Sequence, residues 1–204
     1  MSAKKNSGAD HGTIEFYNKN SERYDQSTFN LKLETPWLEF TSRLTPNARI
    51  LDVGCGSGRD MRHFIDLGYY VEGLEPSREM AKLARSRTGA IIHEISAEQI
   101  DFNNQFDGVW ACASLLHIDR SSMERTFNSI METLKQSGVF YFSLKPGGGT
   151  IRKEDGRLFA NYTKSEIEEL VSARPDINSF VSWESLDALH SRNTTWLNFI
   201  VTKK

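Results

Sequence analysis

The chain has 204 residues, 38% of them apolar and 11% aromatic, with a formal charge of −2, a balance that excludes a disordered chain and suffices for one domain with a sizeable core. A pI near 6.2 without a basic stripe speaks against a nucleic-acid surface, and no apolar run is long enough to span a bilayer. The two cysteines, Cys55 and Cys112, have no neighbouring Cys or His at metal-ligand spacing, so no metal is expected and both read as free thiols of a reducing cytoplasm.

Residues 1–12 are small, polar and charged, lack the apolar core of a signal peptide and are expected to be disordered. Residues 13–24 carry Ile14, Phe16, Tyr17 and Tyr24 among polar neighbours, an aromatic face on a helical or irregular segment. Thr35 as N-cap and Pro36 at the first helical position predict a helix to Leu44, with Trp37, Leu38, Phe40 and Leu44 on its buried face. Residues 48–53 are an apolar strand that empties into Gly54, Gly56 and Gly58. A helix follows over 59–67, stopped by Gly68. A second strand over 70–75, then Pro76 and the N-cap Ser77 opening a helix to Arg87, complete a βαβ unit, so the first two strands should be parallel.

The third strand is placed at 90–95 and the fourth at 106–112, the latter running into Ala113-Ser-Leu-Leu-His-Ile118. An amphipathic helix over 119–135 presents Met123, Phe127, Ile130, Met131 and Leu134, and the fifth strand spans 139–144. The glycine-rich, charged stretch 145–157 follows the carboxyl end of a strand, where α/β folds place ligands, and is expected to be a mobile substrate lid. A Thr163-x-x-Glu166 capping box opens the next helix; strands at 180–183 and 196–201 then pair antiparallel, with His190 and Arg192 unassigned between them.

The turn after the first strand carries the chemistry. Its glycines remove side chains where a ligand must approach the backbone, and the helix starting at Arg59 turns a positive dipole end toward it, so a nucleotide-like ligand is the default. A dinucleotide fingerprint needs Gly-x-Gly-x-x-Gly. Here Arg59 stands in the third glycine's place, which disfavours NAD.

The run Asp52-Val-Gly-Cys-Gly-Ser-Gly58, with Glu75 ending the next strand, closely resembles motif I and the partner acid of class I S-adenosylmethionine-dependent methyltransferases. The resemblance extends over 13–204 and is strongest at 48–118. It implies an α/β, Rossmann-like, doubly wound sheet of seven strands, mostly parallel with an antiparallel last strand, in the order 3-2-1-4-5-7-6. It also implies a single domain over 13–204 with a cover segment at 13–34, S-adenosyl-L-methionine as cofactor and S-adenosyl-L-homocysteine as product.

On that resemblance Asp52, Gly54, Cys55, Gly56, Gly58 and Arg59 cradle the cofactor, and Glu75, followed by Pro76, accepts from the ribose hydroxyls. Ser96 and Ala97 flank the adenine, although the family often has an acid where Ser96 stands, and Ala111 ends the fourth strand facing the methyl group. Residues 16–25 look like the family's tyrosine-bearing cover, which would set Tyr17 and Tyr24 over the methionine end, where a sulfonium favours an aromatic face. Lys145, Arg152, Arg157 and Tyr162 are candidate substrate contacts. His117 is the one side chain of the fourth-strand segment able to act as a base near neutral pH.

Methyl transfer from a sulfonium asks mainly for alignment, not for a metal or a covalent intermediate. Ala111-Cys-Ala-Ser114 cannot orient an exocyclic amine as the Asn/Asp-Pro-Pro-aromatic sequence of amino-methylating nucleic-acid enzymes does, so a small-molecule acceptor leads. A transfer-RNA nucleoside, or a non-catalytic cofactor-binding regulatory subunit, stands as the alternative. Either a monomer or a homodimer, away from membranes, is compatible with this reading.

Overall fold

The computed structural model describes residues 10–189 and 194–204; the expectation for 1–9, and His190 and Arg192, lie outside the described residues. Its strands are β1 (Arg49–Val53), β2 (Tyr70–Leu74), β3 (Ile92–His93), β4 (Phe106–Ala111), β5 (Leu134–Leu144), β6 (Thr150–Arg152), β7 (Leu158–Ala160), β8 (Ile177–Leu186) and β9 (Thr195–Lys203). Its α-helices are α1 (His11–Thr28), α2 (Glu34–Thr41), α3 (Arg59–Asp66), α4 (Arg78–Thr88), α5 (Arg120–Thr133) and α6 (Lys164–Ser172). Seven strands form one sheet in the order β3-β2-β1-β4-β5-β9-β8, and β6 and β7 form a separate ribbon. Counted without that ribbon, this is the expected order 3-2-1-4-5-7-6. The pairs among β1 to β5 are parallel, whereas β9 runs antiparallel to both β5 and β8.

Alternation along the strands builds a layer on each face of the sheet. Leu51, Val53, Val109, Phe140, Phe142, Phe199 and Val201 point to one side, where Met123, Phe127 and Ile130 of α5 and Ile167 of α6 pack on them. Ile50, Trp110, Tyr141 and Ile200 point to the other, against Trp37 and Phe40 of α2, Met61 and Phe64 of α3 and Ala81 and Ala84 of α4. Each such buried side chain contributes about 1.5–3 kcal/mol of transfer free energy. Trp110 stacks on Tyr141 with ring centroids 3.9 Å apart and meets the Phe64 ring at 5.2 Å. Trp110→Ala should therefore cost about 3–5 kcal/mol.

Several boundaries differ from expectation. Helix α2 starts at Glu34 with Leu33 in the cap position and no side-chain cap, so Thr35 is not the N-cap; Leu38 faces out at 67% exposure, while Pro36, Trp37 and Phe40 are the helix's buried residues. Strand β3 keeps only Ile92 and His93, as befits a sheet edge with Ile91 exposed. Strand β5 begins at Leu134, not 139: Leu134 pairs with Phe106, pairing resumes at Val139 with Gly108, and the residues between bulge out around Ser137 at φ 61°. The stretch expected to be a mobile lid is a hydrogen-bonded hairpin, with Ile151 opposite Phe159 and Gly156 donating to the Lys153 carbonyl in its turn.

Candidate active site

The exit of β1 is fastened to β2 by its own backbone: the N–H groups of Gly54 and Cys55 both donate to the Leu74 carbonyl, at 2.8 and 3.0 Å. Gly54, Gly56 and Gly58 all have positive φ, at 74°, 56° and 88°, where side chains are strained. Each glycine answers a different need. A Cβ on Gly54 would lie 2.4 Å from the Ser114 Cβ, so this glycine lets the exits of β1 and β4 approach. A Cβ on Gly58 would press on Thr88 and Ala84, so this one seats α3 against α4. A Cβ on Gly56 would meet no atom within 4 Å: it would stand in an open cavity.

Glu75, at the end of β2, lies beside that opening and is 7% exposed. Its Oε2 accepts from the Gly56 N–H at 2.9 Å and its Oε1 from the Ser77 N–H at 2.8 Å. Burial pushes its carboxyl up to about 7, against the pull of those two N–H groups toward the ionised form. Ser77 also caps α4 by accepting from the Met80 N–H, so the turn that aims the acid is the turn that starts the helix.

Beneath the cradle lies an ion pair. The Arg59 guanidinium donates through Nε and Nη2 to the two oxygens of Asp60 at 2.8 Å each, and Asp60 also takes the indole N–H groups of Trp37 and Trp110. Burial works to raise the Asp60 carboxyl, but the Arg59 charge and these donors outweigh it and hold it below the usual range. Asp52, by contrast, is driven well up by burial and by the neighbouring Asp60 charge, and its Oδ2 has no hydrogen-bond partner.

The opposite end of the cavity is built by segments distant in sequence. His117 Nδ1 lies 2.6 Å from the Leu158 carbonyl, which can only accept, so the ring proton sits there and Nε2 accepts from the Tyr17 hydroxyl at 3.0 Å. Burial lowers the imidazole to about 4, the Leu158 bond opposes this, and the Arg157 and Lys145 charges reinforce it. The Tyr17 and Tyr24 rings meet edge to face at 5.1 Å; Arg157 sits 4.0 Å over the Phe16 ring, and Lys145 Nζ lies 4.8 Å from the Phe159 ring centre and 5.4 Å from that of Trp196.

Helix α1 closes over this space and is tied down along its length. Asn18 accepts from the Ser77 hydroxyl and the Glu79 N–H, Asp25 pairs with Arg87, Asp10 with Arg152, and the Thr13 hydroxyl accepts from the Leu158 N–H. The result is a cavity of about 450 Å³ at the carboxyl ends of β1, β2, β4 and β5.

Of the residues expected from sequence, Gly54, Cys55, Gly56, Arg59, Glu75, Pro76, Ser96, Ala97, His117, Tyr17, Tyr24, Lys145 and Arg157 line this cavity. Five others do not. Asp52 and Gly58 lie beneath and behind the cradle, and Ala111 is wholly buried in the sheet, one residue short of the cavity-lining Cys112 and Ala113. Tyr162 packs in the core under the Arg120 guanidinium, 4.3 Å from its ring centre, and Arg152 is committed to Asp10. Sequence reading missed Ser114, Asn198, Trp196 and the 185–189 segment at and just past the end of β8, all of which face the cavity, as well as the Asn18 latch. Only tertiary pairing brings them there, and none sits in a motif.

Residues 50–138 match the family described as Methyltransferase domain, the stretch that carries the cradle, Glu75 and the whole of β4. That stretch is a methyltransferase domain. Among the chain's relatives, the putative methyltransferase YqeM of Bacillus subtilis is 28% identical over 117 residues, covering 54% of this chain and 47% of that protein. Malonyl-[acyl-carrier protein] O-methyltransferase of Enterobacter lignolyticus is 30% identical over 150 residues, 69% of this chain and 52% of the relative. The chain thus spans about half the length of these two relatives. Its fold resembles that of Burkholderia thailandensis 1,6-didemethyltoxoflavin-N1-methyltransferase, solved with 1,6-didemethyltoxoflavin and S-adenosylhomocysteine bound, at a TM-score of 0.77 and 19% identity over 94% of this chain and 87% of that one.

Proposed function

We propose that the chain is an enzyme that transfers the methyl group of S-adenosylmethionine to a small-molecule acceptor. The observation that carries this reading is a hollow with no side chain at Gly56 and a buried carboxylate, Glu75, at its rim. The residues present suit the cofactor. Glu75 would take the vicinal ribose hydroxyls, since two carboxylate oxygens can accept from a diol. Ser96 and Ala97 would flank the adenine, with the Ser96 hydroxyl already ordered by its bond to Gln99.

When bound, the cofactor supplies an activated methyl whose leaving group departs neutral. The chain's part is to orient the acceptor in line and keep water out. The Tyr17 and Tyr24 rings form the lid face, and the α1 latches hold them in place. A cavity of about 450 Å³ suits a cofactor with a small partner. The bound 1,6-didemethyltoxoflavin in the Burkholderia neighbour supports an acceptor of that scale.

Isothermal titration with S-adenosylhomocysteine tests the reading. Saturable binding that Glu75→Ala weakens more than tenfold is expected; no measurable heat, or an affinity unchanged by Glu75→Ala, overturns it. Methyl-labelled cofactor incubated with a small-metabolite extract then reports turnover.

A further inference from the structure

The charges lining the cavity sort to opposite ends. Glu75 and Glu98 sit at the β2 and β3 end, Asp60 is neutralised by Arg59 at the floor, and Asp10 is paired with Arg152. Asp187 accepts from the Leu189 N–H within its own turn. Lys145, Lys153 and Arg157 gather at the other end, on the β5 exit and the β6–β7 ribbon. Asp155 shares the charge of Arg157 through its Nε and Nη2, yet Arg157 and Lys145 still act on His117 as cations. Between them the Phe159 ring lies against both, and Trp196 against Lys145. The acceptor end is therefore a positive wall faced with flat apolar surface.

Among the described residues, the same wall holds no group ready to take a proton near neutral pH. His117 has its Nδ1–H committed to Leu158 and its Nε2 to the Tyr17 hydroxyl, and burial keeps it at about 4. Burial pushes the Cys112 thiol up to about 12 and raises both Tyr17 and Tyr24. A protonated amine would face like charge here and find nothing to deprotonate it; a phenol or alcohol would lack a base.

Resting on the methyltransferase reading above, we propose that the acceptor is a carboxylic acid, bound as its carboxylate by Lys145 and Arg157 with its carbon skeleton along Phe159 and Trp196, and methylated on oxygen. One carboxylate oxygen forms the O–CH3 bond as the CH3–S bond breaks, and the bonding pair leaves with sulfur. The acid's negative charge and the sulfonium's positive charge vanish together, and no proton moves. A carboxylate is already ionised across the neutral range, which is why the wall needs cations and no base.

The test incubates the full chain with methyl-tritiated S-adenosylmethionine and panels of aromatic and aliphatic carboxylic acids, amines and phenols. Esters release volatile tritiated methanol in mild alkali, whereas N-methyl and aryl-ether products do not. The expected result is alkali-labile label with carboxylic acids only, at a rate flat between pH 6 and 8 when the cofactor is saturating. Lys145→Gln and Arg157→Lys should raise the KM for the acid at least tenfold while S-adenosylhomocysteine affinity by titration stays within twofold. Label confined to alkali-stable products, label from no carboxylic acid, or KM values unmoved in both variants would overturn the proposal. Absent cofactor binding in the unaltered chain would instead defeat the methyltransferase reading itself, so the two failures are distinct. Intact cofactor affinity in the Lys145→Gln variant certifies its fold.

Discussion

The two ends of the cavity are made in different ways. The cradle at β1 and β2 is local: Gly54, Cys55, Gly56, Glu75 and Ser77 belong to one βαβ unit, and backbone N–H groups position its acid. The opposite end, proposed for the acceptor, is assembled from α1, the β4 exit, the β6–β7 ribbon and β9, so that Tyr17 meets His117 across 100 residues and His117 meets Leu158 across 41. Burial favours the neutral form at both ends, raising Glu75 to about 7 and lowering His117 to about 4. Only the cradle acid can become charged near physiological pH. A local backbone site can carry a general recognition task, whereas a wall built from distant segments can change acceptor without disturbing it.

The floor supports both ends, and breaking it should have the largest effect. Asp60→Ala strands the buried Arg59 charge and frees two indole N–H groups, for an expected loss of about 3–5 kcal/mol in urea unfolding. A loss below about 1 kcal/mol would mean that the two ends do not share this support.

Next come the paired glycines, which separate folding from binding within the cradle. Gly54→Ala combines left-handed strain with a 2.4 Å contact to Ser114 and should cost about 3 kcal/mol. Gly56→Ala, strained but unhindered, should cost about 1 kcal/mol yet weaken S-adenosylhomocysteine binding at least tenfold, because its methyl enters the cavity. Equal stability losses in the two variants would count against the division of roles.

The opposed titrations give a pH signature. Glu75 has a raised folded value, so the stability linked to its neutral form is complete below its ordinary 4.5 and is lost as pH rises through about 7, up to about 3 kcal/mol relative to Glu75→Gln. His117 has a depressed folded value; its contribution is complete above 6.5 and is lost as pH falls through about 4. Urea midpoints of the unaltered chain and Glu75→Gln at pH 5 and pH 8 should therefore diverge, the variant gaining relative stability at pH 8. Donation by a ribose diol favours the ionised acid, so S-adenosylhomocysteine affinity should rise from pH 6 to 8. An affinity flat in that range would detach Glu75 from the diol.

The smallest effect is at the latch. Asn18→Ala removes the acceptor for the Ser77 hydroxyl and the Glu79 N–H and should cost about 1 kcal/mol, with faster amide exchange in α1 and none in α3. Equal exchange in both helices would show that the cover is not held separately from the cradle.

Much of the fold was legible because it rests on short-range rules. Apolar runs mark β1, β2 and β4, Ser77 and Thr163 cap the helices they precede, and the glycine-bearing turn with Glu75 announces the cradle. Where side-chain partners lie far away, the same rules erred: α2 starts without the Thr35 cap, β5 begins early because Leu134 finds Phe106, and the supposed lid folds as a ribbon because Ile151 can pair with Phe159.

The amino-acid sequence by itself determined the βαβ frame, the family resemblance and the glycine cradle, since strand period, caps and backbone freedom are properties of neighbouring residues. Tertiary structure alone decided that His117 is locked between Leu158 and Tyr17, that Tyr162 turns into the core, and that Lys145 and Arg157 share one wall. Burial and charge at those positions depend on what packs beside them, and the chain supplies those neighbours from far along its length.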